Sequence, residues 1–107
     1  MRNVGIEYPA QEQMGFYDLG EPPEPGPGHA LLETLYSGVT NGTERHALMV
    51  DHGYGGGNFP SRHGYQHVCR VAAIGEGVES VAVDDVVFVG MYVGHRGWHV
   101  VPAVPTL

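Results

Sequence analysis

Seven histidines in a chain of 107 residues are the first chemical signal. Imidazole exchanges protons near neutral pH and ligates metals. His63 and His67 lie four apart, as do His95 and His99 in the run Val93-Gly94-His95-Arg96-Gly97-Trp98-His99. On a helix that spacing puts two rings on one face. On a strand the two also share a face but stand about 13 Å apart, too far for one metal. A His63–His67 metal site therefore needs a helix or a bend. His46 and His52 read as surface residues, on a helix and in a loop. The lone cysteine, Cys69, excludes an internal disulfide and a multi-cysteine zinc site. Gly53-Tyr54-Gly55-Gly56-Gly57 lacks the lysine and the context of a phosphate loop, and no GxGxxG follows a strand and opens a helix. No Ser/His/Asp nucleophile arrangement is visible in the order of residues.

The length fits one domain, with 42% hydrophobic residues for a core. It leaves no room for a second nucleotide-binding layer of roughly 130–150 residues. The formal charge is −7, twelve acids against five arginines, and the acids are scattered. Such a surface is solvated, and without a basic patch it excludes nucleic acid and anionic membrane as partners. The N-terminus lacks the apolar stretch of a signal peptide, and no window approaches a membrane span. With one cysteine, the expected location is cytoplasmic.

Seventeen glycines and eight prolines imply many turns, hence short strands. Strands are expected at Val4 to Glu7, Met14 to Leu19, Val68 to Ile74, Val78 to Val83, Val86 to Val89 and His99 to Val101. His29 to Ser37 reads as a strand, with a short helix as the alternative. Thr43 to Val50 has helical character, with Thr43 or Asn41 as cap. The proline run from Glu21 to Gly28 is an extended surface connector. Gly75-Glu76-Gly77 reads as a tight hairpin turn using positive φ at both glycines, with Asp85 bonding local amides. Short strands divided by turns point to a closed or nearly closed barrel, which removes exposed edges.

The segment Val71-Ala72-Ala73-Ile74-Gly75-Glu76-Gly77-Val78, followed by Val83-Asp84-Asp85-Val86-Val87, resembles the "VGEGV … VGDRV" signature of medium-chain dehydrogenases/reductases. Other landmarks follow in that family's order. Gly20-Glu21-Pro22 resembles its "DVPEP" connector and Pro27-Gly28-His29-Ala30-Leu31-Leu32 its "PGPGEVLV". Ser37-Gly38-Val39-Thr40 stands where it has "SGVC", and His63-Gly64-Tyr65-Gln66 where it has "GHE". Trp98-His99-Val100-Val101-Pro102-Ala103 resembles "AEYVVVPA". Gly42-Thr43-Glu44-Arg45 resembles a branch with "SPGTER", which includes dehydrogenases similar to those acting on bacteriochlorophyll precursors.

The resemblance implies a mainly β fold: residues 1–107 as a GroES-like, partly open β-barrel with one or two short helices. It implies the substrate-cleft domain of an NAD(P)-dependent alcohol dehydrogenase/reductase-like oxidoreductase acting on a small carbonyl or alcohol. The dinucleotide would be bound by a C-terminal Rossmann domain missing from this chain, so the piece alone is expected to be inactive and to bind no cofactor. The family's catalytic zinc ligands fall on Thr40 and Tyr65, with Gln66 in the Glu position. Hydroxyl and amide groups are poor zinc ligands, so no zinc is expected. Thr40, Thr43, Tyr65 and Gln66 are then the candidates to polarise the substrate by hydrogen bonds. Tyr65 and Gln66 also suit a cleft wall. His95 stands near the cleft as a proton donor, or is a loop histidine held by backbone or water. Glu44 matches an acid of the relatives, or serves a surface or domain interface. Cys69 replaces a family glycine, where its side chain would crowd a neighbouring strand or the cofactor side of the cleft. Asp84 also replaces a family glycine, in a left-handed turn. Two alternatives remain: a stand-alone, non-enzymatic barrel binding a protein or small ligand as a homo-oligomer, and a histidine-based metal module.

Overall fold

The structure is a computed structural model that describes residues 1–39, 44, 62–91 and 93–103. It is mainly β. β1 (Val4–Ala10) and β2 (Gln13–Asp18) form a two-stranded antiparallel sheet. β3 (His29–Ser37), β4 (His67–Ile74), β5 (Val86–Val89) and β6 (Trp98–Pro102) form a second sheet in the order β5-β4-β3-β6. All pairings are antiparallel.

Alternation explains the core. On β4, His67, Cys69 and Val71 are buried while Val68 and Arg70 lie on the other face, the period of two that strands impose. Cys69 and Val71 pack with Ala30, Leu32, Val81, Val89, Val101 and Ala103. Outside, Arg70 binds Glu33 at 3.1 Å and Asp84 at 2.6 Å, and the Met1 amino group lies 3.4 Å from Glu33. These charges hold the Glu33 carboxyl below its ordinary range, the Arg70 hydrogen bond most of all.

Two bulges shape β3. Its register against β4 shifts between Leu31 and Leu32 and again between Thr34 and Tyr36. The second leaves Leu35 without a β4 partner, so the in-out alternation slips by one. Thr34 pairs with Cys69, yet Ser37 pairs with His67. Cross-strand partners share a face. The bulge therefore turns Ser37, three residues after Thr34, to the same face as Thr34.

The two sheets do not close into a barrel, which corrects the expected barrel. They are stitched by one short segment before β6. Ile6 N donates to His95 O at 2.8 Å, Gly97 N donates to Val4 O at 2.9 Å, and Gly5 bridges Arg96. A stitch this short cannot extend a ladder around the molecule, so β5 and β6 remain sheet edges. No helix has its bounds among the described residues, and of the expected helix from Thr43 to Val50 only Glu44 is described, in helical conformation. Among the described residues no helix is long and apolar enough to cross a membrane.

Two local expectations are also corrected. Val78 to Val83 is not a strand. Val81 drops into the core, and the Asp85 carboxylate accepts from Ala82 N at 2.9 Å, curling the chain before β5. Of the turn glycines, Gly77 has φ +81°, but Gly75 does not use positive φ. Gly75 is needed because a Cβ there would collide with the Gly26 carbonyl. Asp84 has φ +76°, the left-handed turn expected of it. Asp85→Ala is expected to cost about 1 kcal/mol in urea denaturation, the worth of one such hydrogen bond. An unchanged midpoint would show the turn to be held by Val81 alone.

Candidate functional site

Three elements bring polar side chains together at the open end of the larger sheet. Ser37 is the last residue of β3, and His67, its cross-strand partner, opens β4. His95 arrives on the stitching segment. Its backbone N donates to His63 O at 3.0 Å, and Val93 N and Gly94 N both donate to Gly64 O, at 3.2 and 3.1 Å. Gly64 is required twice over: its φ is +138°, and a Cβ would strike the His95 ring.

The hydrogen bonds form a chain. Glu44 Oε1 pairs with His95 Nε2, His95 Nδ1 with Ser37 Oγ, and Ser37 Oγ with His67 Nδ1 at 3.0 Å. The donors follow from chemistry. A carboxylate only accepts, so His95 Nε2 carries a proton toward Glu44. In the neutral imidazole its Nδ1 is then a lone pair that accepts the Ser37 hydroxyl proton. A hydroxyl has one proton to give, so Ser37 accepts from His67 Nδ1–H. His67 Nε2 is left as a bare acceptor.

The surroundings are dry. Glu44 is 1% exposed, and His95, His67 and His99 are buried. The His67 and His99 rings stand 4.9 Å apart. Arg96 Nε donates to His99 Nδ1 at 3.3 Å and to Trp98 O at 3.1 Å, so the His99 proton sits on Nε2. Neither His67 Nε2 nor His99 Nε2 has a hydrogen-bond partner among the described residues. Burial, reinforced by His67, Arg96 and His95, pushes His99 down to about 3. Burial also lowers His67 and His63 and raises the Cys69 thiol. It raises Tyr8 as well, with help from the Glu44 charge.

Ser37 and His95 open onto a groove of about 560 Å³. Val4, Ile6, Phe16 and Leu35 give the groove its apolar lining, and Arg2, Arg96, Met1 with its amino terminus and Glu33 bring charge to it. The site thus joins a buried acid–imidazole pair to an accessible hydroxyl beside an apolar groove. Such an arrangement is chemically able to pass a proton to or from a molecule in the groove.

Of the expected site residues, His95 lies at the centre, buried and facing the groove rather than sitting in a solvated loop. Glu44, matched either to an acid of the relatives or to a surface or domain interface, is buried against His95, which sets aside an exposed surface position. Tyr65 is half-buried and Gln66 is exposed on the loop before β4. Gln66 holds the end of β3 through its backbone, whose carbonyl accepts from Gly38 N at 2.7 Å. Thr40, Thr43, His46 and His52 lie outside the described residues. His63 stacks on Tyr8 at 5.3 Å while His67 faces His95 and His99, so the two diverge. Among the described residues no three His, Cys, Asp or Glu side chains are placed to hold a metal ion. Cys69 fills the core without crowding, its thiol 4.0 Å from the Thr34 hydroxyl.

Ser37 and the pairing of Glu44 with His95 escaped the sequence reading. Ser37 is separated from His95 by 58 positions and Glu44 from His95 by 51. No local spacing signals such contacts. The one available hint was the histidine-rich run that contains His95.

No protein-family profile matches the chain, and no curated protein does.

Proposed function

We propose that this chain forms the substrate-cleft wall of an NAD(P)-dependent alcohol dehydrogenase/reductase-like oxidoreductase that works on a small carbonyl or alcohol without catalytic zinc. The observation that carries the reading is the Glu44–His95–Ser37 chain ending on a groove. Carbonyl reduction needs a proton delivered to oxygen as the hydride arrives at carbon. With both His95 nitrogens protonated and the imidazolium stabilised by buried Glu44, the Ser37 hydroxyl donates that proton and recovers one from His95 Nδ1–H, leaving the imidazole neutral. The sequence landmarks, in family order along nearly the whole chain, support the same reading.

Zinc is set aside on donor chemistry. The residues at the family's ligand positions, Thr40 and Tyr65, offer hydroxyls, which bind zinc poorly. The nicotinamide cofactor would supply the hydride from a nucleotide-binding unit beyond this domain. Among the described residues no glycine-rich turn joins a strand to a helix to hold the cofactor's phosphates.

The test is reduction of short aldehydes and ketones with NADPH and NADH by the protein as its native source produces it, with a strong chelator present. Chelator-resistant turnover that falls tenfold or more in His95→Gln, with KM little changed, is the expected result. No cofactor oxidation, or loss of turnover on chelation, would overturn the proposal.

A second reading is a non-enzymatic β domain that self-associates or binds a partner. It is favoured by an apolar row on the outer face. Tyr36 pairs with Val68 and Val68 with Phe88, and Tyr36 and Phe88 are 74% and 62% exposed. This row reaches onto β5, which is an edge of the sheet among the described residues. A monodisperse oligomer with no reductase activity supports this reading, and a monomer removes it.

A further inference from the structure

We propose that Ser37 is an activated nucleophile and that the site cleaves esters carrying an apolar acyl group. The inference uses the same residues as the oxidoreductase reading but does not rest on it, because it needs no cofactor.

The arrangement has the parts that nucleophilic catalysis requires: a nucleophile bonded to a base, and that base bonded to an orienting acid. Ser37 Oγ bonds His95 Nδ1, and His95 Nε2 bonds Glu44. The two imidazole nitrogens exchange the roles they have in the common Ser-His-Asp arrangement, which leaves the proton chemistry unchanged. Ser37 is exposed at the groove, whereas His95 and Glu44 are buried, so the hydroxyl meets substrate while the base stays dry. His67 Nδ1–H, at 3.0 Å, holds the hydroxyl oxygen and steadies the charge it gathers during attack. Val4, Ile6, Phe16 and Leu35 suit an apolar acyl chain. Arg2 and Arg96 line the same groove, and a cation near the attacked carbonyl would favour its oxyanion.

The step balances without an oxidant or reductant. Ser37 Oγ bonds the ester carbonyl carbon as its proton passes to His95 Nδ1. The bond from that carbon to the alcohol oxygen breaks, and the leaving alkoxide takes the proton from His95. Water then attacks the acyl-serine by the same route, releasing the carboxylic acid and restoring Ser37. Ser37 and His95 are the catalytic residues. Glu44 and His67 position them.

The test is labelling with an alkyl fluorophosphonate, in which the serine oxygen displaces fluoride from phosphorus. Intact mass and peptide mapping read the product. One adduct per chain, on Ser37, is expected, together with hydrolysis of p-nitrophenyl butyrate. Ser37→Ala should lose both, and His95→Gln should slow both tenfold or more. Ser37→Cys, which keeps the size of the side chain, should instead accumulate an acyl-thioester visible by mass. No adduct, an adduct elsewhere, or equal labelling of Ser37→Ala would overturn the proposal. Labelling without NADPH-dependent reduction would uphold it while the reductase reading fails. Reduction without labelling would do the opposite.

Discussion

Between pH 7.5 and pH 5 the folded protein is expected to lose about 2 kcal/mol of stability, and about 3 kcal/mol by pH 4. The source is His99. It is fully buried, with Arg96 donating to its Nδ1 and the His67 ring 4.9 Å away. Protonation would place a cation in this dry pocket beside a guanidinium, and its folded value accordingly drops to about 3. An unfolded histidine titrates near 6.5. The folded state thus binds fewer protons than the unfolded state at every pH between the two values. Stability is complete above the unfolded value and falls as pH drops through the window from about 6.5 to about 3. His67 and His63, both lowered by burial, act with the same sign. Glu33, held low chiefly by Arg70, acts likewise at the acid end, more weakly because that pair meets solvent. Small domains are stable by only about 5–15 kcal/mol, so the loss is a large share. Urea titrations at several pH values would measure it, with His99→Gln as the variant that cannot charge. If wild type and His99→Gln lose stability in parallel from pH 7 to pH 5, His99 is not the source. NMR showing His99 protonated at pH 5 would also sink the explanation.

Gly97→Ala should cost about 1–3 kcal/mol or more, the scale of an overpacked core. Gly97 sits inside the stitch between the sheets. Its N donates to Val4 O at 2.9 Å and its O accepts from Thr34 N at 3.0 Å. A Cβ there would run into the Arg2 carbonyl, which is backbone and has nowhere to go. Relief requires pulling the β1 end away from β3, and that movement opens the wall of the groove formed by Val4, Gly5 and Ile6. Gly15, on β2, provides the contrast: a Cβ there meets nothing within 4 Å. Gly15→Ala is therefore expected to be neutral, or to stabilise by about 0.4–1 kcal/mol through the unfolded chain. Denaturation midpoints of the two variants separate the cases. Equal midpoints would mean that the stitch yields easily and that the sheets are not rigidly joined.

Much of the fold was written locally. Periodicity and turn residues placed the strands from Val4, Met14, His29, Val68, Val86 and His99, because alternation and glycine or proline punctuation act over a few residues. Val78 to Val83 misled for the same reason: valine spacing suggests a strand, but the Asp85 carboxylate and the burial of Val81 curl the chain instead. Closure into a barrel was never a local property. It depends on how many hydrogen bonds join the β1–β2 hairpin to β6, and the stitch through Ile6, Gly5 and Gly97 is too short.

The sequence by itself determined a mainly β domain and the places of its six observed strands, though not the turn from Val78 to Val83, and it singled out His95. Only the tertiary structure decided what His95 meets. Its partners come from β3 and from Glu44, brought together by long-range pairing. Ser37 reaches the site because the bulge at Leu35 reverses the alternation of β3. A bulge is settled by the match between two strands, and neither strand carries that match alone.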